Sequence, residues 1–393
     1  MMDLFSNENV NIKSLRSKAY NYRWATLEDD AIPLTAADPD FPVAKEITQG
    51  IADYCADGYF SYGPAEGLPS FKKAISNWYS RRFQVNSKSE NILPVNSAAY
   101  GLFISAKLIL KPNDNAIIPN PVDFLFRKSI ENAGAEVRTC VIDKKTAAFN
   151  LDDLATKIDS NTRAIFICNP NNPIGSSLSM DHLKAIIELA KKHDLWIVSD
   201  EIWADITYDK STVSIGSSNL PSYEKKLIIS GLSKNFGLAG LRIGYVICPN
   251  SQIFENLLAV SGHSTTAVGI SSLSQAAGTA ALTHCDYWLE DFSDHLSRMR
   301  QLTLDFIDES PFLEEISPNA TYLAFPKITN TKMSSAELTD FLHTQARVAI
   351  VPGGKQWFED QSEGHIRICF STSQDILTEA FDRIRRVQHE ILR

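Results

Sequence analysis

The stretch AIFICNPNNPIGSSLSMDHLKAIIELAKKHDLWIVS, residues 164–199, decides the fold class. It opens on a short apolar run, Ala164-Ile-Phe-Ile-Cys168, and closes on another, Leu195-Trp-Ile-Val-Ser199. Between them, over Met180–His193, Leu183, Ile186, Ile187 and Ala190 recur at helical spacing and form one apolar stripe. A strand, an amphipathic helix and a strand within about 30 residues make a βαβ unit. Runs without polar alternation belong to strands covered on both faces, the condition of a parallel sheet. Asn115-Ala-Ile-Ile118, Leu227-Ile-Ile229 and Tyr245-Val-Ile247 repeat the pattern. The expectation is an α/β protein whose large domain, residues 46–275, holds a mainly parallel central sheet wrapped by helices.

From residue 276 the pattern changes. A helical stretch over 285–308 precedes short strands at Ala320–Phe325 and Val348–Val351, then Gly364-His-Ile-Arg-Ile-Cys-Phe370 and a last helix over 373–391. Together with an N-terminal arm, this reads as a smaller α+β domain made of residues 1–45 and 276–393.

Composition narrows the function. The chain has 393 residues, 44% hydrophobic and 22% charged, with a net charge of −9 and no basic block. That balance disfavours nucleic acid or an anionic membrane as partner. No apolar run approaches the roughly 18 residues of a membrane span. The six cysteines (55, 140, 168, 248, 285, 369) are scattered without a C-x-x-C pair, so neither a disulfide framework nor a zinc site is expected. The start, Met-Met-Asp-Leu-Phe-Ser-Asn-Glu, is acidic and lacks an apolar core, so a cytoplasmic location is expected.

In an open α/β sheet, ligands sit beyond the carboxyl ends of the strands. Those ends carry Pro119–Phe124, Asn169-Pro-Asn-Asn-Pro-Ile-Gly175, Ser199-Asp-Glu-Ile-Trp203 and Ser230-Gly-Leu-Ser-Lys234. An amide, a carboxylate and an amine thus converge. Upstream, Val95-Asn-Ser-Ala-Ala-Tyr-Gly-Leu102 is a small-residue turn opening a helix, suited to cradle a phosphate on free backbone N–H groups. Arg242 and Arg367 add positive charge. The set suits pyridoxal 5′-phosphate: the lysine amine forms a Schiff base with the aldehyde, and the carboxylate keeps the pyridine nitrogen protonated.

In these motifs the chain resembles the class I/II aminotransferase superfamily, the fold-type I pyridoxal-phosphate enzymes. The resemblance implies an exchange of amino groups between an L-amino acid and a 2-oxo acid. It makes Lys234 the Schiff-base lysine, Asp200 the partner of the pyridine nitrogen, Arg242 a phosphate ligand and Arg367 the clamp on the substrate α-carboxylate. Asn172 is matched to the asparagine that contacts both cofactor and substrate, and Ala37, in Leu34-Thr-Ala-Ala-Asp-Pro-Asp-Phe41, to the substrate-facing turn. Ser97, Ala98 and Ala99 form the phosphate cradle with Ser233. Tyr62, in Tyr-Gly-Pro-Ala-Glu-Gly67, corresponds to the tyrosine that reaches a neighbouring subunit's cofactor, which implies a homodimer.

The chain departs from the pattern at four places. Trp203 replaces a tyrosine, Gly231 a serine, and Ala98-Ala99 a glycine-containing turn; Asp123 stands where an aromatic ring stacks on the cofactor, which leaves that task to Phe124 through a shifted turn. Tyr22-Arg-Trp24 and Ala37-Asp-Pro-Asp-Phe41 also resemble the cystathionine β-lyase-type C–S lyases of the same superfamily, the alternative reaction. A non-catalytic ligand sensor on this fold is the remote alternative. A second arginine for a dicarboxylate would be Arg16, Arg23 or Arg127, and Tyr20, Tyr22 and Trp24 would either line an aromatic pocket or pack the N-terminal arm.

Overall fold

The structure is a computed structural model and describes residues 4–392. Its strands, in chain order, are β1 (Ile32–Leu34), β2 (Ile92–Val95), β3 (Asn115–Asn120), β4 (Glu136–Val141), β5 (Thr162–Cys168), β6 (Trp196–Asp200), β7 (Lys226–Gly231), β8 (Gly244–Ile247), β9 (Leu323–Ala324), β10 (Val348–Pro352) and β11 (Ile366–Cys369). Seven form one sheet in the order β2-β8-β7-β6-β5-β3-β4. The neighbours from β7 to β4 run parallel, and β8 lies antiparallel to both β7 and β2. The mainly parallel sheet expected from the apolar runs is therefore present, with Tyr245–Ile247 as its antiparallel member.

Helices cover this sheet for the reason read from residues 164–199. The helix Met180–Lys192 is capped by Ser179, whose side chain accepts from His182 N, and it buries Leu183, Ile186, Ile187 and Ala190. Truncating any of the three larger side chains to alanine would cost about 2–5 kcal/mol. On the opposite side, the helix Ala98–Ile109 packs against β7 and β8 so closely that a Cβ on Gly101 would stand 2.9 Å from Ile229 Cγ2.

The second sheet, β1-β10-β11-β9, joins the two ends of the chain. β1 pairs in parallel with β10, Ile32 opposite Val348, and β11 lies antiparallel between β10 and β9. Its strands are short. The expected strand over 320–325 shrinks to Leu323–Ala324, because Thr321 takes φ +65° and breaks the extended run. The helix expected over 285–308 runs Asp286–Glu309, directly after a separate helix, Ser272–His284.

The two sheets meet across a loop. Val122 N donates to Phe358 O (3.1 Å) and Phe124 N to Trp357 O (2.9 Å). Arg127 forks onto Glu359, Nε to Oε1 at 2.8 Å and Nη2 to Oε2 at 2.6 Å. This bidentate pair holds the turn after β3 against the second sheet.

Backbone crowding fixes where the first turn of the helix Ala98–Ile109 sits. A Cβ on Gly244 would lie 2.7 Å from Ser97 C and 2.8 Å from Ala98 N, both backbone atoms that cannot swing aside. Gly244→Ala is therefore expected to cost roughly 1–3 kcal/mol, read as a lower urea midpoint. An unchanged midpoint would show that the strand and turn are less tightly apposed than described.

Candidate active site

Four chain segments deliver side chains to the carboxyl edge of the large sheet. β6 ends on Asp200, buried beside Cys168 of β5. Its Oδ1 accepts from Ile202 N at 3.0 Å, and its carbonyl accepts from Asn169 N at 2.9 Å. Burial, with the nearby Asp123 adding to it, raises this carboxyl from 3.8 to about 7.

The loop after β5 is tied by its own amides. Asn169 donates to Val213 O and accepts from Leu178 N, each at 2.9 Å, and Asn171 accepts from Ile174 N at 3.2 Å. So held, the loop presents Asn172. Its Nδ2 donates to Asp123 Oδ2 at 2.9 Å, and its Oδ1 accepts from Arg367 Nη1 at 3.1 Å.

Arg367 comes from β11 and is buried. Its Nη2 donates to Thr35 O at 2.9 Å, and its guanidinium carbon lies 5.1 Å from the Phe358 ring centroid. Its Nε–H is buried with no hydrogen-bond partner among the described residues. A buried, unsatisfied charged donor is costly alone, and a carboxylate ligand would satisfy it.

Lys234 follows β7, half-buried, with Nζ donating to Ala37 O at 2.6 Å and lying 5.3 Å from the Trp203 ring centroid. Burial pushes its amine below the usual 10.5; Arg367 adds to that shift, while Asp38, Cys369 and Asp123 oppose it. Trp203 is 2% exposed and packs edge-to-face on Tyr322 at 4.7 Å, whose hydroxyl also donates to Ala37 O, at 3.3 Å. Tyr322, Thr35 and Asp38 belong to this site although the sequence analysis did not single them out. Thr35 and Asp38 lie within the Leu34–Phe41 turn matched above, whereas Tyr322 reaches the site from far along the chain and no local motif marks it.

The turn before the helix Ala98–Ile109 carries the proposed cradle. Ser97 caps the helix by accepting from Tyr100 N at 3.1 Å, and the amides of Ala98 and Ala99 are left without an intrahelical partner. Close approach brings three segments together here. Gly244 abuts Ser97 and Ala98, and a Cβ on Gly231 would stand 2.9 Å from Ile243 O. That crowding explains the glycine at 231, and leaves Ser233, half-buried, as the hydroxyl on this segment. Arg242, two residues before Gly244, is exposed; its recorded contact is Nη1 to Ala239 O at 3.5 Å, and no carboxylate pairs with it among the described residues.

Other expected residues lie differently. Asp123, not Phe124, bonds Asn172, and Phe124 packs edge-on against Trp357 at 6.2 Å. The Phe124 backbone N–H is committed to Trp357 O. Tyr62 is 90% exposed. Each of the three arginines considered for a second carboxylate is engaged elsewhere: Arg16 with Asp29, Arg23 with Asp40, and Arg127 with Glu359. The aromatic cluster divides, with Trp24 buried and donating to Asp40 Oδ1 at 2.7 Å, while Tyr20 and Tyr22 are exposed.

Comparisons with known proteins place this geometry. A family model described as aminotransferase class I and II matches residues 29–384. The Bacillus subtilis protein YugH, named as an aminotransferase, is 33% identical over 93% of each chain. An aspartate aminotransferase of Pyrococcus horikoshii is 28% identical over 92% of each. Cystalysin of Treponema denticola, whose crystal structure contains a pyridoxal 5′-phosphate cofactor, superposes with a TM-score of 0.88 over 99% of this chain and 100% of its own; at 22% identity, this likeness shows the shared fold. Given a family match over nearly the whole chain and a relative one-third identical along it, the chain belongs to the class I and II aminotransferases, enzymes dependent on pyridoxal 5′-phosphate.

Proposed function

We propose that Lys234, Asp200, Asn172, Arg242 and Arg367 are the working residues of this aminotransferase, in the roles their surroundings suit. The observation that carries the reading is a half-buried amine, held below its usual pKa, in a site that also contains a buried arginine with an unsatisfied Nε–H. The residues fit the cofactor. The amides of Ala98 and Ala99, the hydroxyls of Ser97 and Ser233 and the unpaired Arg242 would hold its phosphate, as expected of a helix N-terminus. Asp200 would take the pyridine nitrogen, and Trp203 would bound the ring. Bound there, pyridoxal 5′-phosphate supplies an aldehyde that amines capture and a ring that accepts electrons.

The chain's residues then divide the work. Arg367 and Asn172 bind the substrate α-carboxylate and orient the Cα–H bond, trading freedom of motion for geometry. Lys234, shifted toward its neutral form, would take the Cα proton and later give a proton to the cofactor's aldehyde carbon, on the far side of the amino nitrogen. Ala37 O accepts from Nζ and so positions the amine. Arg23 and Trp24 both donate to Asp40 Oδ1, at 2.5 and 2.7 Å, and Arg23 Nη1 donates to Ala36 O at 2.7 Å. The motif shared with the C–S lyases therefore braces the Ala37 turn from behind, a duty that does not choose between reactions.

We also propose a homodimer in which Tyr62 completes the neighbouring site. Support comes from an exposed apolar tract, Tyr59 at 78%, Phe60 at 64% and Tyr62 at 90%, beside the loop holding the exposed Val268. The two loops touch where a Cβ on Gly269 would meet Pro64 O at 3.2 Å. Monomers so uncovered are rare unless a partner buries the patch. A cytoplasmic location is supported by the six free cysteines.

Three expectations follow from these assignments. The purified protein should convert amino acids to 2-oxo acids only with a 2-oxo acid acceptor, and Lys234→Ala should lower turnover by at least about a thousandfold. Stoichiometric pyruvate and ammonia from cystathionine without an acceptor would instead establish the lyase. Tyr62→Ala should weaken cofactor retention on dialysis while the protein remains dimeric by light scattering; a monomeric wild-type protein with bound cofactor would contradict the shared site. The third concerns pH. Asp200 holds its proton up to about 7 when folded, whereas its ordinary value is 3.8. Between these values the folded state binds more protons than the unfolded chain, so the contribution of Asp200 to stability falls as pH rises. In the cofactor-free protein, Asp200→Asn should therefore raise the urea midpoint more at pH 8 than at pH 5. Glu201, which burial raises to about 7 with Asp200 adding to it, is relieved by the same substitution and widens the gap in the same direction. An equal gap at both pH values would refute the burial of Asp200.

A further inference from the structure

Two donors share one carbonyl at the centre of the site. Lys234 Nζ donates to Ala37 O at 2.6 Å, and the Tyr322 hydroxyl donates to the same oxygen at 3.3 Å. A backbone carbonyl offers two lone pairs, so both bonds form together. Each donor nevertheless draws on the electron density that the other uses, and the two bonds weaken one another. An ammonium loses more by this sharing than a neutral amine, because its charge-assisted bond depends more strongly on the acceptor.

Tyr322 is held firmly in this place. It is fully buried, and its ring meets Trp203 edge-on at 4.7 Å and Phe292 at 6.1 Å. Its backbone is anchored as well: Thr321 N donates to Ile206 O at 2.9 Å, and Tyr322 O accepts from Phe370 N at 3.0 Å. Burial holds the phenol well above its ordinary 10.0, so it stays a donor. Glu201-Ile-Trp203, the segment after Asp200, carries no hydroxyl, and the phenol of this site arrives instead from the residue before β9. The titratable and charged groups acting on the amine are Asp38 in the Ala37 turn, Asp123 after β3, and Arg367 and Cys369 on β11. Cys369, Asp38, Arg23 and Arg367 act on the phenol. Replacing Tyr322 by phenylalanine leaves all of them in the chain.

We propose that Tyr322 is a positioning residue for Lys234: by sharing Ala37 O, its hydroxyl keeps that carbonyl from locking the amine as an ammonium and leaves the neutral amine free to react. The inference rests on the proposed role of Lys234. Only the neutral amine has the lone pair that takes a proton from carbon or captures an aldehyde. In the capture that lone pair forms the C–N bond, and the aldehyde oxygen leaves as water with the two amine protons. Burial already loosens the hold of Lys234 on its third proton. Tyr322 acts in the same direction, through the one carbonyl to which the amine is bonded.

The test compares wild type with Tyr322→Phe, which keeps the ring and removes only the hydroxyl. The full-length protein, freed of cofactor, is labelled with a trace of acetic anhydride at pH 7, and the rate at Lys234 is read by mass spectrometry. The same proteins are then mixed with pyridoxal 5′-phosphate, and capture of its aldehyde is followed by absorbance at pH 7 and pH 10. At pH 7, Tyr322→Phe should be labelled at Lys234, and should capture the aldehyde, about threefold more slowly. The gap in capture should narrow at pH 10, where more of the amine is neutral in both proteins. A role in packing alone would slow capture equally at both pH values. Labelling that is unchanged or faster in Tyr322→Phe, or a gap in capture that does not narrow, would overturn the proposal. Borohydride reduction fixes the captured aldehyde on its lysine and separates the two readings. If labelling slows at Lys234 while the aldehyde is fixed on another lysine, Tyr322 acts on the amine as proposed and the role of Lys234 falls. If the aldehyde is fixed on Lys234 and labelling does not slow, the reverse follows.

Discussion

The side-chain amide of Asn172 is the joint on which the site depends. One end must donate, because it faces the Asp123 carboxylate, and the other must accept, because it faces the Arg367 guanidinium. Its orientation is therefore dictated by its neighbours. Asp123 follows a strand of the large sheet, and Arg367 lies in a strand of the small one. A single planar group thus sets the separation between the two sheets at the point where substrate would sit. Hydrogen bonds to charged groups are worth more than neutral ones, so both halves of the joint resist displacement.

Around that joint the second sheet is strapped down at several points. Arg127 forks onto Glu359, two backbone bonds join Val122 and Phe124 to Phe358 and Trp357, and Asn120 donates to Asp360. Below the Ala37 turn, Asp40 receives Arg23 and Trp24 in a fully buried cluster. Arg23 uses a further donor on Ala36 O, while Asp40 Oδ2 is buried with no hydrogen-bond partner among the described residues, so this pair fixes geometry more than it adds stability. The carbonyl of Ala37, which holds Lys234, is fixed by this scaffold rather than by any residue of the large sheet.

Much of this was legible in the sequence because it is local. Apolar runs mark the buried parallel strands, and the ligand edge of such a sheet is their carboxyl end, so Asp200 and Lys234 could be located by counting from Val198 and Ile229. The Val95–Leu102 stretch was legible as a turn opening a helix, the one Ser97 caps. What could not be read depends on pairing across the chain. Thr35 meets Arg367, and Tyr322 shares Ala37 O with Lys234, through contacts that no periodicity encodes. The spent arginines were open questions for the same reason, since an arginine's partner is a matter of tertiary placement. The narrowing of β9 reflects Thr321, whose positive φ is not evident in a run that otherwise reads as extended.

The pairing of β1 with β10 also has a consequence in time. Ile32 must wait for Val348 before the second sheet can close, and Thr35 must wait for Arg367. At ribosomal speeds that interval is on the order of tens of seconds. The large sheet's strands are complete by Ile247, so they can assemble while the rest of the chain is still being made. Arg367 has no such head start. In the proposed roles, a nascent chain stalled or cut short before β11 would hold Lys234 and the turn at Ser97 yet lack Arg367, so the grip on the α-carboxylate would be the last part of the site to be completed at birth.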